Sequence, residues 1–140
     1  MEKATRDVDE YIASLPDDVR ADIEVLDGAL ARAMDGHERV LYEGRLWGGS
    51  RQEIIGYGTM ENTRSDGTTV TWFTVGLAVQ KNHLSVYINA VEDRLYLSEK
   101  YGAKLGTVKV GKSSLGFKSV DDIDVGALVE LVELARELTG

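Results

Sequence analysis

The chain contains no cysteine. That absence excludes disulfides and thiolate metal sites, and it fits a protein of the reducing cytoplasm. Histidine is nearly as scarce: His37 and His83 are too few for a closed tetrahedral zinc site of ordinary composition. Long apolar runs are missing as well. No stretch approaches the ~20 residues of a membrane span, and the N-terminal segment has no apolar signal-peptide region, so a cytoplasmic protein without membrane attachment is expected. Basic residues are in deficit, with 16 Lys and Arg against 24 Asp and Glu and a net charge of −8. Phosphate backbones are held by clustered Lys and Arg, so nucleic acid is not an expected partner.

What remains is the composition of an ordinary globule, 43% hydrophobic and 29% charged. Residues 1–140 are expected to form one domain, long enough to bury roughly two-thirds of its unfolded surface. The charge is unevenly spread. Residues 1–38 hold eleven acids and four bases, and residues 119–140 hold six acids and one base. Between residues 94 and 118 the sign reverses, with Arg94, Lys100, Lys104, Lys109, Lys112 and Lys118 against Glu99 alone. Such a chain folds into a domain with two electrostatic poles.

Val8, Tyr11, Ile12 and Leu15 recur at helical spacing and predict a short amphipathic helix over 7–14. Pro16 ends it and pre-sets φ for a second start, where Asp17 and Asp18 suit the positive end of a helix. Val19, Ile23, Leu26, Leu30 and Ala33 or Met34 extend one stripe to about Asp35, where Gly36 stops the helix. Val40, Tyr42 and Leu46 alternate with Leu41, Glu43, Arg45 and Trp47 as a strand before the Gly48-Gly49-Ser50 turn. Later, Val91, Leu95 and Ser98 predict a short helix closed by Gly102. Two strands, 107–110 and 115–117, flank a Gly111-Lys112-Ser113-Ser114 turn. The last segment, N-capped by Asp121 or Asp122, carries Ile123, Ala127, Leu128, Leu131, Leu134, Ala135 and Leu138 on one stripe of a terminal helix.

The middle of the chain can be paired residue by residue. Lys81-Asn82 fits a two-residue hairpin loop in which Asn accepts positive φ. Counting outward from it sets Val79 against Leu84, Leu77 against Val86, Val75 against Ile88 and Phe73 against Ala90. All these pairs are apolar and on one face, because opposed residues share a face and the period is two. Asp66-Gly67 is a strong hairpin dipeptide. Counting from it predicts Met60 opposite Phe73, Gly58 opposite Val75, Gly56 opposite Leu77 and Ile54 opposite Val79. Gly56 and Gly58 then sit where a helix can approach the sheet closely. The reverse face carries Tyr57, Thr59, Trp72, Thr74, Gly76, Ser85, Tyr87 and Asn89. In this register Tyr57 and Tyr87 flank Gly76, either as aromatic cover over a strand glycine or as a small-molecule slot with convergent polar groups.

The predicted architecture is therefore a single α+β domain. It has an antiparallel sheet of five to six strands flanked by N-terminal and C-terminal helices, which pack on the face of Phe73, Val75, Leu77 and Val79.

Several motifs resemble the YdhG-like domains, a family of unknown function. They are Val8-Asp9-Glu10-Tyr11-Ile12-Ala13-Ser14-Leu15-Pro16, Gly56-Tyr57-Gly58, and the run Gln80-Lys81-Asn82-His83-Leu84-Ser85-Val86-Tyr87. Tyr96-Leu97-Ser98-Glu99-Lys100-Tyr101 and Val110-Gly111-Lys112-Ser113-Ser114-Leu115-Gly116-Phe117 continue the likeness in order along nearly the whole chain. Tyr42-Glu43-Gly44-Arg45 departs from the Tyr-Gly-x-Pro motif of a commoner branch, so no residue role is carried over from that branch. One branch is described as a frataxin-like intracellular iron chaperone. The resemblance thus implies a two-layer YdhG-like or frataxin-like sandwich and, by fold analogy, iron handling.

Three functional readings follow. In the first, iron is bound loosely and handed on by carboxylates of the acidic helices: Asp17, Asp18 and Asp22, with Asp7, Asp9 and Glu10 nearby. The alternative to a site there is a solvated acidic face. In the second, a small molecule or anion is held by the mixed sheet face (Tyr57, Trp72, Tyr87, Asn89) and by the turn carrying Lys112 and Ser113, where backbone N–H groups and an ammonium suit an anion. The spacing of that turn is not that of a P-loop, and a polar hairpin is its simpler reading. The third is catalysis. No nucleophile elbow surrounds Ser113 or Ser114, and Glu61 beside Trp72 is not an acid–base pair, so a non-enzymatic domain is expected. The face bearing Trp72 is also a candidate homodimer surface.

Overall fold

The first helix starts at Asp7, whose carboxylate accepts from the backbone N–H of Asp9 at 3.1 Å and of Glu10 at 3.3 Å. In the computed structural model, which describes residues 2–45, 51–63 and 65–139, this helix is α1 (Val8–Ala13). Pro16 introduces α2 (Asp17–Ala33), which buries Ile23, Leu26, Leu30 and Ala33. The chain leaves it through Gly36 at φ +88°.

Seven antiparallel strands form the main sheet: β1 (Glu2–Lys3), β2 (Arg39–Arg45), β3 (Arg51–Thr63), β4 (Thr69–Val79), β5 (Leu84–Ile88), β8 (Lys109–Val110) and β9 (Ser114–Phe117). Their spatial order is β1-β2-β3-β4-β5-β9-β8. Glu2–Lys3 supplies the strand beyond the six read from the sequence. The predicted Gly48-Gly49-Ser50 turn and Trp47 lie outside the described residues.

Rows of opposed residues define the two faces. One row runs Leu41–Ile55–Leu77–Val86–Leu115–Val110. From Leu41 to Leu115 it forms the floor of the main core together with Ile23, Leu26 and Leu30 of α2 and Leu128, Val132 and Ala135 of α4 (Val125–Thr139), while Val110 at the sheet edge is exposed. The reverse face has the row Lys3–Tyr42–Ile54–Ala78–Ser85–Gly116–Lys109. The helices thus cover one face and leave the other open. Among the described residues, no helix is long and apolar enough to cross a membrane.

The β4–β5 register is as counted: Val79↔Leu84, Leu77↔Val86 and Val75↔Ile88. The β3–β4 register is not. It is displaced by one residue, with Ile54 opposite Ala78, Tyr57 opposite Val75 and Met60 opposite Trp72. The cause lies in the connecting turn. The Asp66 carboxylate accepts from the N–H of Thr68 at 2.9 Å and from its hydroxyl at 2.6 Å, which draws Thr68 into the loop. The ladder therefore closes at Thr63↔Thr69 and not at the two-residue turn around Asp66-Gly67. A one-residue slip exchanges faces. Tyr57 moves to the helix side while Tyr87 stays on the open side.

Phe73 is also on the open side, contrary to its predicted place beside Val75, and it does not pair with Ala90. The β3–β4 ladder is interrupted between Tyr57↔Val75 and Thr59↔Phe73, where Gly58 takes φ +72° and its N–H turns to the Glu38 carbonyl at 2.7 Å. Alternation restarts across this break. Phe73 and Tyr42 then fill a bare patch made by Gly56 and Gly76, which stand directly opposite each other. A Cβ on Gly76 would meet the Phe73 ring at 2.8 Å, and one on Gly56 would meet the Tyr42 ring at 2.5 Å. This is aromatic cover over strand glycines. Of the two predicted close approaches, only Gly58 is met by a helix, through the ε-methyl of Met34 just past α2.

Two further elements differ from expectation. Val91–Glu92 (β6) and Leu95–Tyr96 (β7) form a separate small hairpin, because Asp93 and Arg94 both take positive φ (53° and 69°) and make its turn. Positive φ thus falls here and not at Asn82. The predicted helix survives only as α3 (Leu97–Tyr101). At the other end, Ser119 and Asp122 cap a 3₁₀ turn over Val120–Asp122, and Asp124 begins α4 by accepting from the Ala127 N–H at 3.0 Å.

Candidate functional site

The open face divides into two halves. Toward β2 and β3 it is apolar and closed over: Tyr42, Ile54, Phe73 and Ala78 are buried there, with Trp72 and Tyr87 packed against them. The Trp72 and Phe73 rings lie 4.4 Å apart, and Tyr42 is 5.6 Å from Phe73. Toward β9 and β8 the side chains shorten to Ser85, Ser114 and Gly116, and the surface falls into a cavity of about 830 Å³. Tyr87 stands at the join, its ring 6.2 Å from Phe73 on one side and the cavity on the other.

Gln80 organises the polar wall. Its Nε2 donates to the Tyr87 hydroxyl at 2.9 Å and to Gln52 Oε1 at 3.2 Å, while its Oε1 accepts from the Ser85 hydroxyl at 3.0 Å. One amide therefore orients two hydroxyls along the cavity. The floor is set by small residues. Gly116 leaves open space over β9, where an added Cβ would come no nearer than 3.4 Å to His83. Gly111 is packed against the Ser114 hydroxyl, and its N–H donates to the Ser114 carbonyl at 2.8 Å. At the rim, Gly106 (φ +129°) presses on the Asp122 carbonyl so closely that no side chain fits. The charged Lys109, Lys118 and Asp122 and the His83 imidazole complete the lining. The Asp122 carboxylate already accepts from the Ser119 N–H at 3.2 Å in the capping box.

The predicted site residues fare unequally. Tyr87 lines the cavity. Tyr57 does not: it lies under the helices, its hydroxyl donating to Asp27 at 2.6 Å. Arg39 grips the same carboxylate with two bonds, 3.0 Å from Nε and 2.6 Å from Nη2. Burial, reinforced by the Asp27 charge, raises the Tyr57 phenol well above its ordinary range, and the Asp27 hydrogen bond raises Arg39. Trp72 belongs to the aromatic cover. Asn89 is a structural brace, donating from Nδ2 to the Phe73 carbonyl at 2.8 Å. Lys112 and Ser113 form the tip of the β8–β9 hairpin, outside the cavity. Their carbonyls accept from the Ser98 hydroxyl at 2.6 Å and the Ile88 N–H at 2.8 Å. The slot between Tyr57 and Tyr87 therefore does not exist. The displaced register puts the two rings on opposite faces.

The carboxylates assigned to iron are not brought together either. Asp17 pairs with Arg20 at 2.6 Å, and Asp22 accepts from the Val120 N–H at 3.2 Å. Asp18 points to solvent. Among the described residues, no group of three or more His, Asp or Glu side chains is placed to hold a metal ion.

Sequence reasoning missed Gln80, Ser85, His83, Ser114, Lys109 and Lys118 as a set. Ser85 was on the mixed face already. Continuing the count from Ser85 to Gly116 and Lys109 needed the knowledge that β9 and β8 lie beside β5.

Comparison with protein-family models, curated proteins and solved structures finds no match for this chain.

Proposed function

We propose that the chain is a cytoplasmic, YdhG-like small-molecule-binding domain whose site is the cavity on the open sheet face. The observation that carries this reading is the cavity itself. Its volume of about 830 Å³ lies in the range of small-molecule sites, and two hydroxyls fixed by one amide converge on it. Its lining mixes apolar surface with hydroxyl, amide and ammonium groups, which suits a small ligand bearing polar groups. The YdhG-like membership rests on the ordered motifs from Val8 to Phe117. Binding fits the groups present better than catalysis does, since among the described residues the one carboxylate at the cavity, Asp122, already serves as a turn cap.

The test is a set of small polar fragments, neutral, cationic and anionic, titrated into ¹⁵N-labelled protein. Saturable shifts centred on the amides of Ser85, Tyr87, Ser114 and Gly116 are expected. Shifts centred on α2, or none anywhere, would overturn the reading.

A further inference from the structure

Taking the cavity as the ligand site, we infer that its ligand is an oxyanion, a phosphorylated or polycarboxylate small molecule, held by the Lys109 and Lys118 ammonium groups and the Tyr87 hydroxyl.

Charge is the first support. The chain has eight more acids than bases, 24 against 16, yet the ionised side chains at the cavity run the other way. Lys109 comes from edge strand β8, and Lys118 directly follows β9. The single carboxylate there, Asp122, is turned to the Ser119 backbone. Two other lysines are neutralised, Lys3 by Glu38 at 2.6 Å and Lys100 by Glu92 at 2.7 Å and Asp93 at 2.9 Å. Among the described residues, Lys109 and Lys118 have no ion-pair partner. In a protein this acidic, an anion is repelled by the net charge and favoured where unpaired ammonium groups stand together.

Hydrogen-bond direction is the second support. The Tyr87 oxygen accepts from Gln80 Nε2 at 2.9 Å, so its own proton remains to be donated. Tyr87, which lines the cavity, therefore has a proton available for a ligand. The floor is the third. Lys109 stands opposite Gly116, which stands opposite Ser85, so an ammonium and a hydroxyl bracket a bare position on one sheet row. An oxyanion placed over Gly116 meets the Lys109 ammonium without displacing a side chain; the Ser85 proton is already donated to Gln80 Oε1, so the second donor is the Tyr87 hydroxyl.

The experiment titrates inorganic pyrophosphate, citrate and glycerol into the protein at low and high salt, followed by amide shifts and calorimetry. Pyrophosphate or citrate is expected to saturate shifts at Ser85, Tyr87 and Gly116, with glycerol silent and affinity falling as salt rises. Whichever anion binds more tightly identifies the phosphoryl or the carboxylate class. The Lys109→Gln/Lys118→Gln double variant, whose exposed side chains support no packing, is expected to weaken binding at least tenfold. Glycerol and neutral fragments binding in the cavity as well as the anions would overturn the oxyanion assignment and leave the cavity as the ligand site. Anion binding unchanged in the double variant would overturn it too. No fragment of any charge reaching the cavity would overturn both.

Discussion

The Gln80 amide donates to the Tyr87 hydroxyl at 2.9 Å and accepts from the Ser85 hydroxyl at 3.0 Å, so a single side chain fixes the direction of both cavity hydroxyls. Tyr87→Phe keeps the ring against Phe73 and removes only the oxygen. Stability is expected to fall by about 1 kcal/mol, the net worth of one hydrogen bond. Affinity for an anionic ligand is expected to fall about tenfold or more, since bonds to charged groups are stronger. Denaturant unfolding and calorimetry on the same variant measure the two effects. Unchanged anion affinity would mean that the phenol proton does not face the ligand.

The aromatic cover makes Gly76 intolerant of a side chain. Gly76→Ala drives a methyl into the Phe73 ring and the Ile54 γ-methyl, 2.8 and 2.9 Å from its Cβ. A loss of about 1–3 kcal/mol is expected from this overpacking. Gly28→Ala in α2 is the control, because beyond the helix's own backbone and the adjoining residues nothing lies within 4 Å of its Cβ. There a gain of about 0.5–1 kcal/mol is expected from helix propensity alone. Urea midpoints read both, and equal effects at the two positions would contradict the packing described.

Asp27 holds the Arg39 guanidinium and the Tyr57 hydroxyl together beneath α2. Asp27→Ala leaves a buried phenol without its acceptor and an arginine with Asp9 alone, at 3.0 Å. A loss of about 2–3 kcal/mol is expected, with ligand shifts at the cavity unaffected, because the network lies on the other face of the sheet. Thermal unfolding and the fragment titration separate the two.

Alkali is expected to weaken the fold. The folded-state pKa of Tyr11 is pushed up to about 12 by burial, and that of Tyr57 is raised by burial and Asp27. A group whose pKa is raised on folding stabilises fully below its unfolded value and loses that contribution as pH climbs toward the folded one. Lys100, raised by its bonds to Glu92 and Asp93, acts in the same sense. Urea midpoints are therefore expected to be flat up to about pH 9 and to fall from about pH 10, the ordinary tyrosine value. Tyr57→Phe flattens part of that fall. A midpoint constant through pH 11 would contradict the buried placement of both phenols.

Much of the fold was legible because it is written locally. Asp7, Pro16 and Gly36 bound two helices, and the β4–β5 register follows from three alternating apolar pairs and a two-residue loop. The β3–β4 register was not legible, since it depends on whether Asp66 spends its carboxylate on Thr68. That local choice moved Tyr57 across the sheet and removed half of the predicted slot. Cross-strand nuclear Overhauser contacts of Met60 to Trp72, and not to Phe73, are expected from the register described. The candidate site was half legible. Ser85 and Tyr87 alternate within one strand, but Lys109, Ser114 and Gly116 join them only through the non-local pairing of β9 with β5.

The most direct measurement is the fragment titration repeated on Gly116→Val. The substitution places a β-branched side chain in a strand position with room for it, the nearest atom to its Cβ lying 3.4 Å away, and fills the cavity floor. The variant is expected to fold as the parent does and to lose the saturable shifts at Ser85, Tyr87 and Ser114. A folded Gly116→Val protein that binds the same fragments with the parent's affinity would place the ligand site elsewhere.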